Sequence, residues 1–247
     1  MRGCRPSGGA SKVKTSKEAW GAAQLGKHTK QRWSELRPTT IMRQGMHAAS
    51  RQFAVGGEQP VVPGLRLGTS IHGLWKDAGE LAMIRVFAQL HDERVASMWS
   101  IVDGQERSVH FADFDIISTS QLLFGRPEQT WPVIAIDDVE HLDAVLRMYS
   151  GLIDEIWLHF GGYDRAGFEA LALWLISAPR DAGQTVHGLG GACAAFLYGV
   201  RDRAFELLCD LESSWNERLA NEPDRPVVVE VHRSVIGSIE RAREAFG

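Results

Sequence analysis

A glycine-rich segment that ends in a cysteine is the part of the sequence whose residue types most directly suggest chemistry. It runs from Gly188 to Cys193, after a short apolar run at Thr185–Val186 and before a run of helix-forming residues. In a turn between a strand and a helix, a cysteine meets free backbone N–H groups and the positive end of the helix dipole, which together stabilise a thiolate. The segment therefore predicts a nucleophile elbow with Cys193 at its tip.

Two other interpretations of this segment stay open. A dinucleotide-binding loop requires glycine or another small residue at its third position, where this chain has Cys193, and it requires an acid at the end of the next strand, whereas Asp210 falls inside a predicted helix. A tight turn with a buried cysteine is the simpler interpretation, because free cysteines are among the most buried residues in proteins.

The charge distribution restricts the class of partner. Residues 1–60 contain 11 Lys and Arg against 3 Glu, whereas the rest of the chain contains 16 basic and 28 acidic residues. Binding to phosphates requires clustered cations, so any nucleic acid would have to bind through the basic tail, residues 1–58, which is more simply a solvated segment. The acidic remainder suits a basic protein partner instead.

Cysteine usage and hydropathy indicate a cytoplasmic protein. Cys4, Cys193 and Cys209 form no C-x-x-C pair, which disfavours both a disulfide framework and a structural zinc site. The sequence contains no apolar window long enough for a membrane span and no apolar secretory signal, so no membrane association is expected.

The remaining polar residues predict neither a metal site nor a cofactor. His72, His91, His110, His141 and His232 are not spaced like metal ligands, so we expect them to be surface or hydrogen-bonded side chains. Two acids that flank Phe114, namely Asp113 and Asp115, are expected to be solvated in a loop. The acid pair Asp137-Asp138 is interpreted as a helix cap.

Residues 1–58 are predicted to be a disordered tail, because they lack apolar periodicity, and residues 59–247 to be one α/β domain. Within the domain, hydrophobic spacing predicts helices at 77–91, after Asp137, after Asp164, at 194–220 with a break near Gly199, and at 234–246. Apolar runs predict strands at 61–67, 95–102, 107–111, 131–136, 156–160, 185–186 and 227–231, with a hairpin at Asp103-Gly104. Strands that alternate with helices predict a mostly parallel sheet.

Residues 154–205 resemble the core of the ThiJ/PfpI superfamily, the class I glutamine amidotransferase-like fold. The resemblance is closest to the sensor domain of AraC-type transcription regulators and extends over about residues 60–245. It depends on the order of an apolar run ending in glycines, a Trp-Leu pair, a Gly-x-Cys elbow and an Arg-Ala pair. These are Ile156–Phe160 with Gly161-Gly162, Trp174-Leu175, Gly191-Ala192-Cys193 and Arg203-Ala204.

The resemblance implies a flavodoxin-like three-layer sandwich with helices on both faces of the sheet and one antiparallel hairpin. It also implies a small-molecule pocket at Gly161, Gly162, Gly190, Gly191 and Ala194. Active members carry a Glu in the first helix and a His after the Arg-Ala pair. In this chain Ala82 stands at the position of that Glu, with Glu80 nearby. The position of that His is close to Leu207, where the chain has no histidine. The expected function is therefore a non-catalytic ligand-sensing or dimerisation domain of the transcription-regulator type, without the helix-turn-helix part. The expected assembly is a homodimer.

Two other functions remain open. The first is a hydrolase or amidase that uses Cys193 as nucleophile, His187 or His159 as base, and Glu80 as the contacting acid. The second is an interaction or adaptor protein whose acidic surface binds a basic partner.

Overall fold

The computed structural model describes residues 16–45, 52–76, 80–106, 110–178 and 184–247, and the side chains of 16–23, 43–45, 52 and 184 lie outside this description. The described helices are α1 (Ser16–Leu36), α2 (Glu93–Asp103), α3 (Ile116–Phe124), α4 (Val139–His159), α5 (Arg165–Ser177), α6 (Gly188–Leu197), α7 (Arg201–Asn221) and α8 (Pro226–Phe246). The strands are β1 (Ile41–Gly45), β2 (Gln52–Val62), β3 (Leu65–Lys76), β4 (Leu81–Asp92), β5 (Ala112–Asp115), β6 (Val133–Ala135) and β7 (Gln184–Val186).

These strands form a single sheet in which every described pairing is antiparallel. The order is β1-β2-β3-β4-β5-β7, with β6 also paired to β4. The expectation of a mostly parallel, flavodoxin-like sheet is therefore wrong. The first four strands follow one another along the chain and each pairs with the next, so no helical crossover is needed between them.

The main cause of that error is the segment 77–91, which was expected to be a helix. Its described part is β4, in which Ala82, Ile84, Val86, Ala88 and Leu90 are fully buried and the residues between them are half-buried. This alternation has the period of two that a strand requires. The apolar residues that are spaced as in a helix belong to a longer pattern, in which buried and half-buried residues alternate along the whole strand.

Three apolar runs that were expected to be strands are helical. Residues 95–102 lie in α2, 156–160 largely at the end of α4, and 227–231 in α8. Gly104 ends α2 in a left-handed conformation, so it caps a helix and does not form a hairpin. The expected strand at 107–111 lies partly outside the described residues.

Other predictions agree with the structure. Asp164 caps α5 by accepting a hydrogen bond from the N–H of Gly167. Helix α4 is capped by Asp138, one residue after Asp137, the residue expected to cap it. Strands β6 and β7 lie within or at the predicted positions. The break near Gly199 separates α6 from α7.

The N-terminal segment differs most from expectation. Of residues 1–58, which we expected to be disordered, the described part forms α1, β1 and the first residues of β2. Trp33 on α1 is fully buried, and α1 contacts β2 and α4. The apolar residues of α1 are too few to produce an evident pattern, but one buried tryptophan provides a large anchoring surface.

The two faces of the sheet differ in polarity. One face carries the buried aliphatic residues of β3 and β4. Helix α1 contacts the sheet at β2, helix α5 contacts it at β2 and β5, and α4 packs on both of these helices. The opposite side, called the open face below, carries polar and half-buried residues on neighbouring strands. They include Ser70, His72, Arg85, Phe87, Gln89 and Asp113. Helices α2, α6, α7 and α8 pack on one another in a second group.

No helix among the described residues is long and apolar enough to cross a membrane.

Candidate metal centre

Cys193 lies inside α6, where its side chain is fully buried, and not at the tip of a turn. Burial raises the pKa of its thiol to about 12. At neutral pH the sulfur is therefore protonated and has no contact with solvent. These are the properties of a small core residue, not of an activated nucleophile.

The glycines before Cys193 allow α6 to pack closely. A Cβ at Gly190 would overlap the ring of Trp99 on α2, and a Cβ at Gly191 would overlap Cγ1 of Val186 on β7. Both glycines and Ala194 are buried. Close helix packing accounts for the glycine-rich composition without a bound ligand.

The other residues of the expected ligand pocket lie elsewhere. Gly161 and Gly162 form the turn between α4 and α5, where both have positive φ angles. A cavity of about 270 Å³ lies beside the start of α6 and is lined in part by Gly188, Arg203 and Leu211, but Cys193 is not among its lining residues.

Of the catalytic partners proposed for Cys193, only His187 takes part in a polar cluster. Glu80 is exposed just before β4, and its backbone oxygen accepts a hydrogen bond from Ile136. His159 is exposed at the end of α4. His187 is the N-cap residue of α6, and its side chain lies at the open face beside β5.

His187 there meets two residues that we did not expect to act together, His110 and Asp113. The possible ligand atoms of the three side chains all lie within 4.8 Å of one another. Nε2 of His187 is 3.1 Å from Oδ2 of Asp113, and Nε2 of His110 is 3.6 Å from the same oxygen. In the part of the chain that the structure describes, these three are the His, Cys, Asp and Glu side chains that lie close enough together to hold a metal ion.

The sheet positions these three side chains. Asp113 lies on β5 directly opposite Gln89 of β4 and Thr185 of β7, so its side chain points to the open face. The backbone N–H of His187 donates to the carbonyl of Phe111, which continues the β5–β7 pairing by one residue. His110 precedes β5, and its ring packs edge-on against that of His187, with 4.8 Å between ring centroids.

The carboxylate at the centre of the cluster is ionised. Burial tends to raise the pKa of Asp113, but hydrogen bonds and the charges of His110 and His187 outweigh it, so this pKa lies well below its usual range. All three side chains are between 24% and 32% exposed, so an ion from solvent can reach them.

Two of the three separations, those from each imidazole to Asp113, fit coordination of one divalent ion. Metal–ligand bonds of about 2.0–2.1 Å in tetrahedral geometry place neighbouring ligand atoms about 3.3 Å apart. The two observed separations, 3.1 Å and 3.6 Å, lie on either side of that value. Two imidazoles and one carboxylate are ligands that zinc and other first-row transition metals accept.

The sequence carried only a weak signal for this cluster. His110 and Asp113 are three residues apart, but His187 is 74 residues further along, and it is brought close only by the β5–β7 pairing. Asp113, expected to be solvated, lies on a strand, and Asp115 is buried where it caps α3. Only the register of β5 against β7 places Asp113 and His187 on one face.

Comparisons of the chain with family models, with curated proteins and with solved structures found no match. The function is therefore argued from the geometry of this cluster.

Proposed function

We propose that this protein binds a divalent transition-metal ion, with zinc as the best match, through His110, Asp113 and His187. The observation that carries the proposal is the convergence of three potential ligand atoms within 4.8 Å on an accessible face of the sheet. The imidazole nitrogens that face Asp113 would lose any proton they carry and bind the ion, while the ionised carboxylate would supply a negative charge.

The position of the cluster supports a functional site more than a purely structural one. Three protein ligands leave at least one coordination position for water or a ligand atom, which is the arrangement of catalytic zinc sites. Because the three side chains are partly exposed on the open face, that coordination position would face solvent. A metal held in this way can polarise a carbonyl or phosphoryl oxygen, or lower the pKa of a bound water.

The roles expected from the sequence remain proposals. Small-molecule sensing is compatible with a metal at the open face, but it has lost the support of the parallel fold that the ThiJ/PfpI resemblance implied. A homodimer, a basic partner for the acidic surface, contact between residues 1–58 and nucleic acid, and a cytoplasmic location each stay proposals.

Isothermal titration calorimetry of the full chain with Zn²⁺, after removal of any affinity tag, tests the proposal. The chain carries Cys4→Ser and Cys209→Ser, so that neither the thiol of Cys4 nor the exposed thiol of Cys209 can bind the ion. We expect one ion per chain. His187→Gln should weaken binding by more than about 100-fold, because even residues that only support metal ligands contribute about 10- to 100-fold.

A matched control is available on α4, where Nδ1 of His141 lies 3.9 Å from Asp138 in an exposed pair without a third ligand. His141→Gln should leave Zn²⁺ binding unchanged. Equal loss in both histidine variants, or no binding by the parent chain, would refute the proposal. Bound Zn²⁺ should also raise the thermal stability of the chain, because the ion binds the folded state and joins segments far apart in sequence.

A further inference from the structure

A second polar group on the open face surrounds Arg85. This residue lies on β4, directly across from His72 on β3. Its guanidinium carbon is 3.9 Å from the ring centroid of Trp131 and 4.7 Å from that of Phe87. The two aromatic rings hold the guanidinium in place by cation–π contacts and leave the N–H groups at its edge for hydrogen bonds.

Those N–H groups are poorly satisfied within the protein. Nη2 of Arg85 reaches Oδ2 of Asp115 only at 3.4 Å, and the buried Nε has no hydrogen-bond partner among the residues that the structure describes. Asp115 is already engaged, since it accepts hydrogen bonds from the backbone and hydroxyl of Ser118 and from the indole of Trp131. A guanidinium whose donors lack good acceptors is costly to bury, and an anion that reaches the accessible part of this side chain, which is 27% exposed, could supply a further acceptor.

Ser70 and His72 add a further donor beside Arg85. Oγ of Ser70 is 2.6 Å from Nε2 of His72, and both side chains lie on the open face. Burial, and secondarily the charge of Arg85, lowers the pKa of His72, so the ring is neutral at physiological pH. A neutral imidazole and a hydroxyl have one donor each, and their mutual bond uses one of the two. One donor of the pair is therefore not used by their mutual hydrogen bond.

We propose that Arg85, together with Ser70 and His72, binds an oxyanion, either a carboxylate or a phosphate group of a small ligand. The planar guanidinium edge suits two oxygens of such a group, and the remaining Ser70–His72 donor suits a third contact. Trp131 and Phe87 provide apolar surface beside it for the rest of the ligand. This site uses none of the proposed metal ligands.

The experiment is a titration followed by ¹⁵N NMR of the arginine Nε–H signals in the full chain, dialysed free of metal. Inorganic phosphate and acetate are the probes, with chloride at equal ionic strength as the reference. We expect the Nε–H signal of Arg85, assigned by its loss in Arg85→Lys, to shift saturably with at least one probe. A stronger response to phosphate indicates a phosphate ester as the ligand, and a stronger response to acetate indicates a carboxylate.

Two variants separate this site from general charge effects. Arg66→Gln removes another half-buried arginine of the open face and should leave the response of Arg85 unchanged. Ser70→Ala should weaken binding by about fivefold, the value of one hydrogen bond. A response no larger than that to chloride, or one unaffected by Ser70→Ala and abolished by Arg66→Gln, would overturn the proposal. Because the protein is free of metal, either result leaves zinc binding to be judged separately.

Discussion

Replacing Arg37 tests whether the N-terminal helix belongs to the fold. Arg37 follows α1, and only 6% of it is exposed. Its Nη1 donates to the carbonyl and hydroxyl of Ser150 and to Asp154, its Nη2 donates to Tyr163, and its Nε donates to Gln59. A single side chain thus joins the end of α1 to α4, to the turn after α4 and to β2.

We expect Arg37→Ala to destabilise the chain by about 3 kcal/mol. Hydrogen bonds to a charged group contribute about 1.5–3 kcal/mol each, but they are not additive, and waters can replace part of the network. The carboxylate of Asp154 is 52% exposed and is rehydrated without a large penalty. The main losses are the buried contacts with Ser150 and the partly buried contact with Tyr163.

Urea unfolding followed by circular dichroism measures this loss. With a slope of about 3 kcal/mol per molar urea, the midpoint should fall by about 1 M. Arg32→Ala is the control, since Arg32 lies on the same helix and pairs with Glu35 and Asp143 nearer to solvent, so its effect should be clearly smaller. Equal midpoints for the two variants would show that α1 is not docked through Arg37.

Three further results are expected. Iodoacetamide should label exposed Cys209 at neutral pH and leave Cys193 unmodified in the folded chain, as peptide mass spectrometry can show; rapid labelling of Cys193 would contradict its burial. The pKa of Cys193 is about 12 in the folded chain and about 8.5 when unfolded, so as pH rises above about 8.5 only the unfolded state loses this proton. The free energy of unfolding should therefore fall more steeply with pH in the parent chain than in Cys193→Ala, by up to about 1.4 kcal/mol per pH unit. Urea unfolding at several pH values measures this difference, and parallel pH profiles of the two chains would refute it. Gly191→Ala should lower the melting temperature, because its Cβ would overlap Val186, whereas Gly151→Ala, with open space around it on α4, should not.

Sequence patterns predicted the elements that have a clear helical period or a cap. The helices predicted after Asp137 and after Asp164 are α4 and α5, each of which buries one apolar side, and Asp164 caps α5. In each case a side chain close in sequence determines the local structure, so the signal is present without knowledge of the fold.

The sheet could not be predicted in the same way, because strand and helix patterns overlap in short apolar runs. In α8 the residues 227–231 are rich in valine, yet they lie in a helix whose buried residues, Val228, Ile239 and Ala242 among them, follow helical spacing over its whole length. Tertiary packing overrides the strand preference of valine there. Once β4 was interpreted as a helix, the antiparallel order of its neighbours could not be inferred.

The candidate site was missed for the same reason. His187 was singled out for its position before Cys193, but its nearest polar partner is Asp113, 74 residues away. A strand pairing between short segments brings the two together, and nothing in their spacing along the chain indicates it. The pair becomes visible only when the register of β5 and β7 is known.

The measurement that tests the central claim most directly is anomalous diffraction at the zinc edge from crystals of the full chain grown with one equivalent of Zn²⁺. The account predicts one anomalous peak between His110, Asp113 and His187, about 2.0–2.1 Å from a nitrogen of each imidazole and an oxygen of the carboxylate. A peak at another location, or direct hydrogen bonds from both histidines to Asp113 with no ion among them, would contradict it.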